Sequence, residues 1–417
     1  MDRTYEFSVN GNHFVFDGNT VSVYEKNNVI QTKKENTPKY LPRCNYLRTV
    51  CLVLNNSCNL CCSYCFANKG HFDKPYEQMK LEHALKAIDT TANIIKKNNG
   101  KKFTISFFGG EPLLSFSLIK KIVLYIQKQY PHFEHVFRIT TNGTLLTQDI
   151  VLFLEKNPFE IMISIDGGKK EHDFFRKDIN GNGSYDKIKN NLKYFKNISK
   201  LNARITITKA NSNINCYIDD ILNLGFRKIT FAVDYAIEKD DFKNFKDSLK
   251  KLFIRYTEDI KKGFYYDITN ISTVITSIVM KYKMNTHCNA GISYITLSAD
   301  GIYYRCPRFV GNPLFYVSKI DAAPKVLDKS MAAFRNKVKT GATDRNDNCH
   351  KCAFVYLCGG ACAHHAYMHS HEEFTSVDLE CQQRKLIYKE TLNLICKLTI
   401  EERKKFLLFL TTLWSKA

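Results

Sequence analysis

Cys58-Asn59-Leu60-Cys61-Cys62-Ser63-Tyr64-Cys65-Phe66 packs four thiols into eight positions, three of them at a spacing that suits one iron–sulfur cluster. A cubane cluster held by three thiolates keeps one iron without a protein ligand, and an open coordination position is where small-molecule chemistry starts. Spacing alone leaves two registers open: Cys58 and Cys65 with Cys61, or with Cys62. Short cysteine clusters also make zinc sites or pack as buried thiols, so the rest of the chain has to separate these readings.

With 417 residues the chain is long enough for a large main core with smaller appendages. Its 44% hydrophobic and 24% charged content is that of a soluble globular protein. The opening, Met1 to Gly18, carries no apolar signal core, and no stretch reaches the roughly eighteen apolar residues that span a bilayer. A cytoplasmic protein without membrane contact is the expectation. Thiols stay reduced there, so 15 cysteines, odd in number and clustered, read as metal ligands and not as a disulfide frame. The net charge of +20, from 61 Lys and Arg against 41 Asp and Glu, would suit nucleic acid or an acidic peptide. The basic residues are spread along the whole chain with no localised stripe, so no nucleic-acid partner is expected.

Residues 1–45 alternate apolar and polar positions around the turn signals Val9-Asn10-Gly11-Asn12 and Asp17-Gly18-Asn19. They read as a β-rich segment with Phe7, Phe14, Phe16, Val21 and Val23 facing inward, serving as a structural lid or a peptide-docking surface. Over residues 46–236 strand and helix alternate. Candidate strands are 50–55, 103–108, 137–141, 161–165, 204–208 and 229–233; candidate helices are 81–97, 116–129, 147–155, 185–196 and 214–224. Six βα repeats imply a parallel sheet with covering helices, curved into a partial barrel or wound as an open sheet, with the ligand at the carboxyl ends of the strands. The cysteine run follows the first strand, Gly109-Gly110-Glu111-Pro112 the second and Thr141-Asn142-Gly143-Thr144 the third, while Ser164-Ile165-Asp166-Gly167 ends the fourth. Four such motifs at consecutive strand ends outline one pocket. Residues 237–285 read as a helical linker, 286–385 as a Cys-rich lobe held more by metal than by a core, and 386–417 as helix.

Cys-x3-Cys-x2-Cys followed by an aromatic, in register with these strand-end motifs, resembles the radical S-adenosylmethionine (SAM) superfamily. The resemblance selects Cys58, Cys62 and Cys65 as the cluster triad and leaves Cys61 surplus. It implies an α/β fold with a partial (β/α)6 barrel of the TIM type, an open iron chelated by SAM, and reductive cleavage of SAM to methionine and a 5′-deoxyadenosyl radical. By the same resemblance Gly109, Gly110, Glu111 and Pro112 receive the SAM amino group, with Glu111 supplying charge. Tyr64 and Phe66 flank the last cysteine, Tyr64 packing on adenine, and Asn142, Ser164, Asp166 and Arg176 contact ribose and carboxylate. Taken singly, the two glycines would be an ordinary tight loop and Arg176 a surface salt bridge.

Cys288-x12-Gly301-x4-Cys306, then Cys349-x2-Cys352-x5-Cys358-x3-Cys362 and finally Cys381, resembles the SPASM extension of radical SAM enzymes, which carries auxiliary 4Fe–4S clusters. A zinc-binding lobe is the plain alternative. The resemblance implies Cys349, Cys352, Cys358 and Cys381 as a complete distal set, and Cys288, Cys306 and Cys362 as a near set lacking a fourth ligand. Either Cys44, Cys51, Cys216 or Cys396 completes the near set, or one iron stays open to substrate; Cys51, within an apolar strand, reads as a core thiol. His364, His365, His369 and His371 read as partly exposed helix positions more than as ligands or proton acceptors.

The resemblance therefore implies an enzyme with three 4Fe–4S clusters and SAM as cofactors. Its expected activity is peptide maturation. Hydrogen is abstracted from a substrate carbon, a cysteine thiol closes a thioether in a ribosomally synthesised peptide, and auxiliary clusters take the electron or bind substrate. Expected partners are a precursor peptide with an acidic leader, docked on residues 1–45, and an electron donor such as flavodoxin or ferredoxin. Anaerobic sulfatase maturases are the nearest alternative. They place Asp directly after the Gly-x4-Cys cysteine, where this chain has Pro307, and begin almost at the core, which about 45 residues precede here. A C–C or C–O cross-linking maturase is a further reading, and a non-enzymatic iron–sulfur carrier or redox sensor is another. A carrier has no use for Gly-Gly-Glu-Pro beside an open cluster.

Overall fold

A computed structural model describes residues 3–26, 39–40, 44–209, 213–234, 236–237, 239–338 and 347–415. Its strands are β1 (Thr4–Val9), β2 (Asn12–Asp17), β3 (Ser22–Glu25), β4 (Lys39–Tyr40), β5 (Thr49–Val53), β6 (Lys102–Phe108), β7 (Glu134–Thr141), β8 (Phe159–Ser164), β9 (Asn202–Ile207), β10 (Lys228–Val233), β11 (Asp267–Ile268), β12 (Tyr282–Lys283), β13 (Tyr294–Leu297), β14 (Ile302–Tyr304) and β15 (Tyr316–Lys319). Its helices are α1 (Leu81–Lys97), α2 (Phe116–Gln129), α3 (Gln148–Lys156), α4 (Lys169–Phe175), α5 (Tyr185–Leu192), α6 (Ile214–Asn223), α7 (Lys239–Lys261), α8 (Thr269–Val279), α9 (Pro324–Lys337), α10 (Asp347–His350), α11 (Val355–Cys358), α12 (Ala363–Ser370), α13 (Asp378–Lys397) and α14 (Ile400–Ser415).

Thr49–Val53 is buried at every position, as a parallel strand covered on both faces must be. The helices that cover such strands show one apolar stripe each. In α1, Ala84, Ala87, Ile88, Thr91, Ala92, Ile94 and Ile95 are buried at helical spacing, and Lys96 and Lys97 close the last turn, where exposed carbonyls favour cations. These units build the main sheet, in the order β11-β10-β9-β8-β7-β6-β5-β13-β14-β15. From β5 to β11 all neighbours are parallel and sequential, giving the six βα units of the expected partial barrel. No helix among the described residues is long and apolar enough to cross a membrane.

The departures from expectation have local causes. β5 ends at Val53 and not at Asn55, because Asn55 turns its amide to the Glu111 carbonyl (3.1 Å) and to Ser115 Oγ (2.8 Å). α5 stops at Leu192 and not at Lys196; its Asn191 gives its amide to the carbonyls of Gly143 and Thr144, at 3.0 Å each. Residues 237–285 are mainly α7 and α8, but Asp267–Ile268 adds a seventh parallel strand beside β10. The Cys-rich stretch is less separate than its composition suggests. β13 pairs in parallel with β5, β14 and β15 follow antiparallel, and Ile295 and Leu297 are fully buried in the shared core.

At the other end of the chain, β1, β2 and β3 form their own antiparallel sheet. Its first turn holds Asn10 and Gly11 at φ 51° and 83°, the left-handed pair that a two-residue hairpin requires. Phe16 and Val21 are fully buried, Phe7 and Val23 pack against the core, and Phe14 is half-buried against Phe7. Phe16 stacks on Phe354 at 5.6 Å, so this sheet rests on the Cys-rich region.

Candidate active site

The cysteine loop leaves β5 at the carboxyl end of the barrel and is tied to each of the next three strand ends. Beyond β6, Gly110 N donates to Asn55 O (3.2 Å) and Glu111 N to Ser57 O (2.8 Å). A Cβ on Gly110 would lie 2.1 Å from Ser57 O, so the close approach expected at this glycine is made by the cysteine loop itself. Beyond β7, the Asn142 amide reaches Asn59 Oδ1 (2.9 Å) and Cys58 Sγ (3.7 Å), and the Asn59 amide reaches Thr144 Oγ1 (2.8 Å). Beyond β8, Tyr64 donates its hydroxyl to Asp166, Cys61 N donates to Lys177 O (2.7 Å) and Ser63 N to Phe175 O (3.1 Å).

Glu111 is buried at the centre of this lattice. One oxygen accepts from Thr141 Oγ1 (2.7 Å) and Leu113 N (3.0 Å), the other from Asn142 N (2.7 Å). Burial pushes its carboxyl up to about 7 against the pull of these donors. Pro112, next in the chain, opens a short 3₁₀ turn whose first amide Glu111 caps.

Asp166 and Arg176 form a buried ion pair, with Arg176 Nε 2.7 Å from Asp166 Oδ2, and not a surface bridge. Asp166 also accepts from Thr206 N (2.8 Å). Tyr64 has the Arg176 guanidinium 5.2 Å from its ring centroid and Phe175 at 5.6 Å. Sequence gave no signal for the partners behind this pair. His172 Nδ1 accepts from Asp166 N (3.2 Å), its Nε2 meets Ser184 Oγ (2.8 Å), and Ser184 donates to Arg176 O. Ser164 ends β8 half-buried, in register with Arg204 of β9.

Cys58, Cys62 and Cys65 are unbridged and partly exposed. Burial pushes the Cys58 thiol up to about 12, and the neighbours that add to it are Glu111, Cys62 and Cys65. Such a thiol ionises when a cation such as iron binds it, and three of them in one half-open loop could hold a cluster. The later cysteines separate into two neighbourhoods. Cys306 is raised by burial and then by Cys288 and Cys362; Cys381 is raised by burial and then by Cys358 and Cys349, and Cys352 also feels Cys358. Arg384 donates to Cys358 Sγ (3.5 Å), a cation placed to favour its thiolate. Among the described residues no three Cys, His, Asp or Glu side chains are gathered closely enough to hold a metal ion as they stand.

Of the spare thiols, Cys51 is fully buried in β5. Cys44 donates to Tyr46 O (3.2 Å), Cys216 is exposed on α6 and accepts from the Asn213 amide (3.3 Å), and Cys396 lies on α13. The histidines divide. His369 and His371 are exposed, but His365 is buried, because its ring meets Glu380 at 2.8 Å and Glu380 is paired in turn with Arg384. A cavity of about 530 Å³ lies among β10, α8, α13 and the Cys-rich region, and its lining includes Arg204 of β9, Cys358 and Cys362.

Residues 52–210, from β5 to just beyond β9, match the family description "Radical SAM superfamily". This stretch is a radical SAM domain. The chain is accordingly a radical SAM enzyme, of a superfamily whose cofactors are a 4Fe–4S cluster and SAM. It is 27% identical to the cysteine-type anaerobic sulfatase-maturating enzyme of Clostridium novyi over 337 residues, covering 74% of this chain and 85% of that one. It is 24% identical to the radical SAM cyclopropyl synthase TigE of Paramaledivibacter caminithermalis over 367 residues, covering 82% and 73%. In solved structures its fold recurs in anSMEcpe with bound AdoMet, at a TM-score of 0.70 and 20% identity over 84% of this chain and all of that one. Streptococcus suis SuiB bound to its precursor peptide SuiA aligns at 0.53 and 14%, over 80% and 76%.

Proposed function

We propose that this radical SAM enzyme is a peptide maturase that installs a thioether cross-link in a ribosomally synthesised peptide. The observation that carries the reading is that a radical SAM barrel and a seven-cysteine region share one sheet, with a cavity of about 530 Å³ whose lining runs from Arg204 and Thr230 of the barrel strands to Cys358 and Cys362. Cys58, Cys62 and Cys65 would hold the cluster that binds SAM; Cys349, Cys352, Cys358 and Cys381, and Cys288, Cys306 and Cys362, would hold auxiliary clusters. When bound, these groups supply a carbon-centred radical able to take hydrogen from an unactivated carbon, and an acceptor for the electron left over.

The chain's own part is positioning. Gly110, Asn142 and Tyr64 fix the triad loop at three points, and Asp166 with Arg176 anchors Tyr64. Gly109, Gly110, Glu111 and Pro112 would receive the amino group of SAM, and Asn142, Ser164, Asp166 and Arg176 would serve its ribose and carboxylate, while Phe66 is an exposed aromatic next to Cys65. Peptide substrates are supported by the solved relatives, among them anSMEcpe with a bound Kp18Cys peptide and SuiB with SuiA. Likeness to sulfatase maturases also supports formylglycine formation as a second reading, but the family resemblance leads one to expect Asp directly after Cys306 in such an enzyme, and this chain has Pro307. A cytosolic flavodoxin or ferredoxin would supply electrons, and the sheet of β1–β3 would dock the leader.

Mass spectrometry of a candidate Cys-containing peptide after anaerobic turnover tests the reading. Loss of two hydrogens with the thiol blocked to alkylation is the expected result. A modified peptide whose thiol still alkylates rejects the thioether.

A further inference from the structure

His350 lies between Cys349 and Cys352, in a turn that Cys352 N closes by donating to Cys349 O (3.1 Å). Its carbonyl accepts from Arg3 Nε at 3.1 Å. Arg3 comes from another part of the fold, the residue just before β1. Its Nη1 donates to Asn19 Oδ1 (3.0 Å) and to the Tyr356 hydroxyl (3.5 Å), and its guanidinium carbon lies 5.3 Å from the Tyr356 ring centroid. A second tie lies beside it. A Cβ on Gly18, between β2 and β3, would fall 1.9 Å from Ala353 O, an approach that only glycine permits, and Gly18 N donates to Arg3 O (2.9 Å). Phe354 has Tyr5 at 5.3 Å and Phe16 at 5.6 Å. The N-terminal sheet thus bears on His350, Ala353, Phe354 and Tyr356, all within the Cys349–Cys358 run of the distal thiols.

We infer that Arg3 is a positioning residue of the distal thiol set, through which the β1–β3 sheet holds the Cys349–Cys352 turn and lends its cluster a positive charge. This rests on the reading of Cys349, Cys352, Cys358 and Cys381 as cluster ligands, and it gives the sheet a part beyond docking a leader. Groups that hydrogen-bond behind metal ligands orient them, and losing one typically costs about 10–100-fold in metal affinity. The charge acts as well. Burial raises the Cys352 thiol, while the Phe354 amide, Lys385 and Arg3 pull against it. Lys385 is exposed and open to screening, whereas Arg3 is half-buried and fixed by its hydrogen bonds. An iron–sulfur potential follows the net charge and hydrogen bonds around the cluster. A fixed cation favours the reduced, more negative form and so raises that potential.

The anaerobically reconstituted full-length protein is compared with Arg3→Gln, Arg3→Lys and Cys352→Ala. Wild type should carry about 12 irons per chain, and the iron missing from Cys352→Ala marks the distal set. Under a strong iron chelator that fraction should leave Arg3→Gln about 10-fold faster than it leaves wild type. Arg3→Lys should recover part of the difference, since an ammonium restores the charge without the planar fork. The midpoint potential of the cluster lost in Cys352→Ala, followed by electron paramagnetic resonance, should fall in Arg3→Gln and stay near the wild-type value in Arg3→Lys. An Arg3→Gln protein that never loads this iron, while Arg3→Lys does, also supports the positioning role. A lower thermal transition with release rate and potential unmoved shows a tie for folding alone and overturns the inference. So does a potential that falls equally in both Arg3 variants. About eight irons in wild type, unchanged in Cys352→Ala, fails the cluster reading and the inference with it. About 12 irons that ignore Arg3 fails the inference alone.

Discussion

Asp166→Asn tests how the cysteine loop is held. The substitution keeps the shape of the side chain and removes its charge, leaving Arg176, with 7% of its side chain exposed, buried without its anion. Removing one partner of a buried ion pair costs about 3–5 kcal/mol. An unfolding entropy of about 2.1 cal/mol/K per residue gives roughly 0.9 kcal/mol/K over a chain of this length, so the thermal transition should fall by about 3–6 °C. Scanning calorimetry on the anaerobic protein reads the shift. Arg176→Met should cost a similar amount, and the double variant, with both charges gone, should recover at least about 2 kcal/mol relative to the sum of the singles. Burial alone would raise the Asp166 carboxyl, but the adjacent Arg176 holds it below the usual carboxylate range. A depressed carboxylate contributes stability above its unfolded pKa, so the gap between wild type and Asp166→Asn should close as pH falls below about 4. A shift under about 1 °C, or strictly additive single costs, would refute the argument that this pair anchors Tyr64.

Other perturbations reach the remaining ties. Burial lowers the His172 imidazole to about 4, so the unfolded chain takes the proton first. Stability should then fall by roughly 3 kcal/mol as pH drops from about 6.5 to about 4, and His172→Asn should flatten that limb in urea titrations. Changing Cys58, Cys62 and Cys65 together to Ala should abolish 5′-deoxyadenosine release while iron on the later thiols remains, and retained cleavage would remove the triad from its proposed role. Gly110→Ala puts a methyl group 2.1 Å from Ser57 O. The loop must shift, and SAM cleavage should fall by about 100-fold, whereas an unchanged rate would show slack at this contact. Anaerobic iron and sulfide analysis should approach about 12 of each per chain, and a value near four would leave the later thiols to another metal.

Much of the barrel was legible because its strands are short apolar runs between strongly amphipathic helices. Leu81–Lys97 and Phe116–Gln129 stand at their expected bounds. The four motifs could be read together because strand ends are fixed points in a parallel sheet. What escaped has a common cause. Tyr294–Leu297 is only four residues long, too short for periodicity to distinguish, and its place beside Thr49–Val53 is a pairing across more than 240 positions. The contacts from Tyr64 to Asp166, from His365 to Glu380 and from Arg308 to Phe66 are likewise long-range, and no local pattern encodes them.

That extra strand sets a length scale. Cys58 follows the end of β5, Cys306 follows the end of β14, and β13 is hydrogen-bonded to both strands. β14 runs antiparallel to β13 while β5 runs parallel to it, so the two cysteines leave opposite ends of one hydrogen-bonded ladder. Clusters held on them would have their separation set in part by that ladder, and a slip of its register would change the distance an electron had to cross.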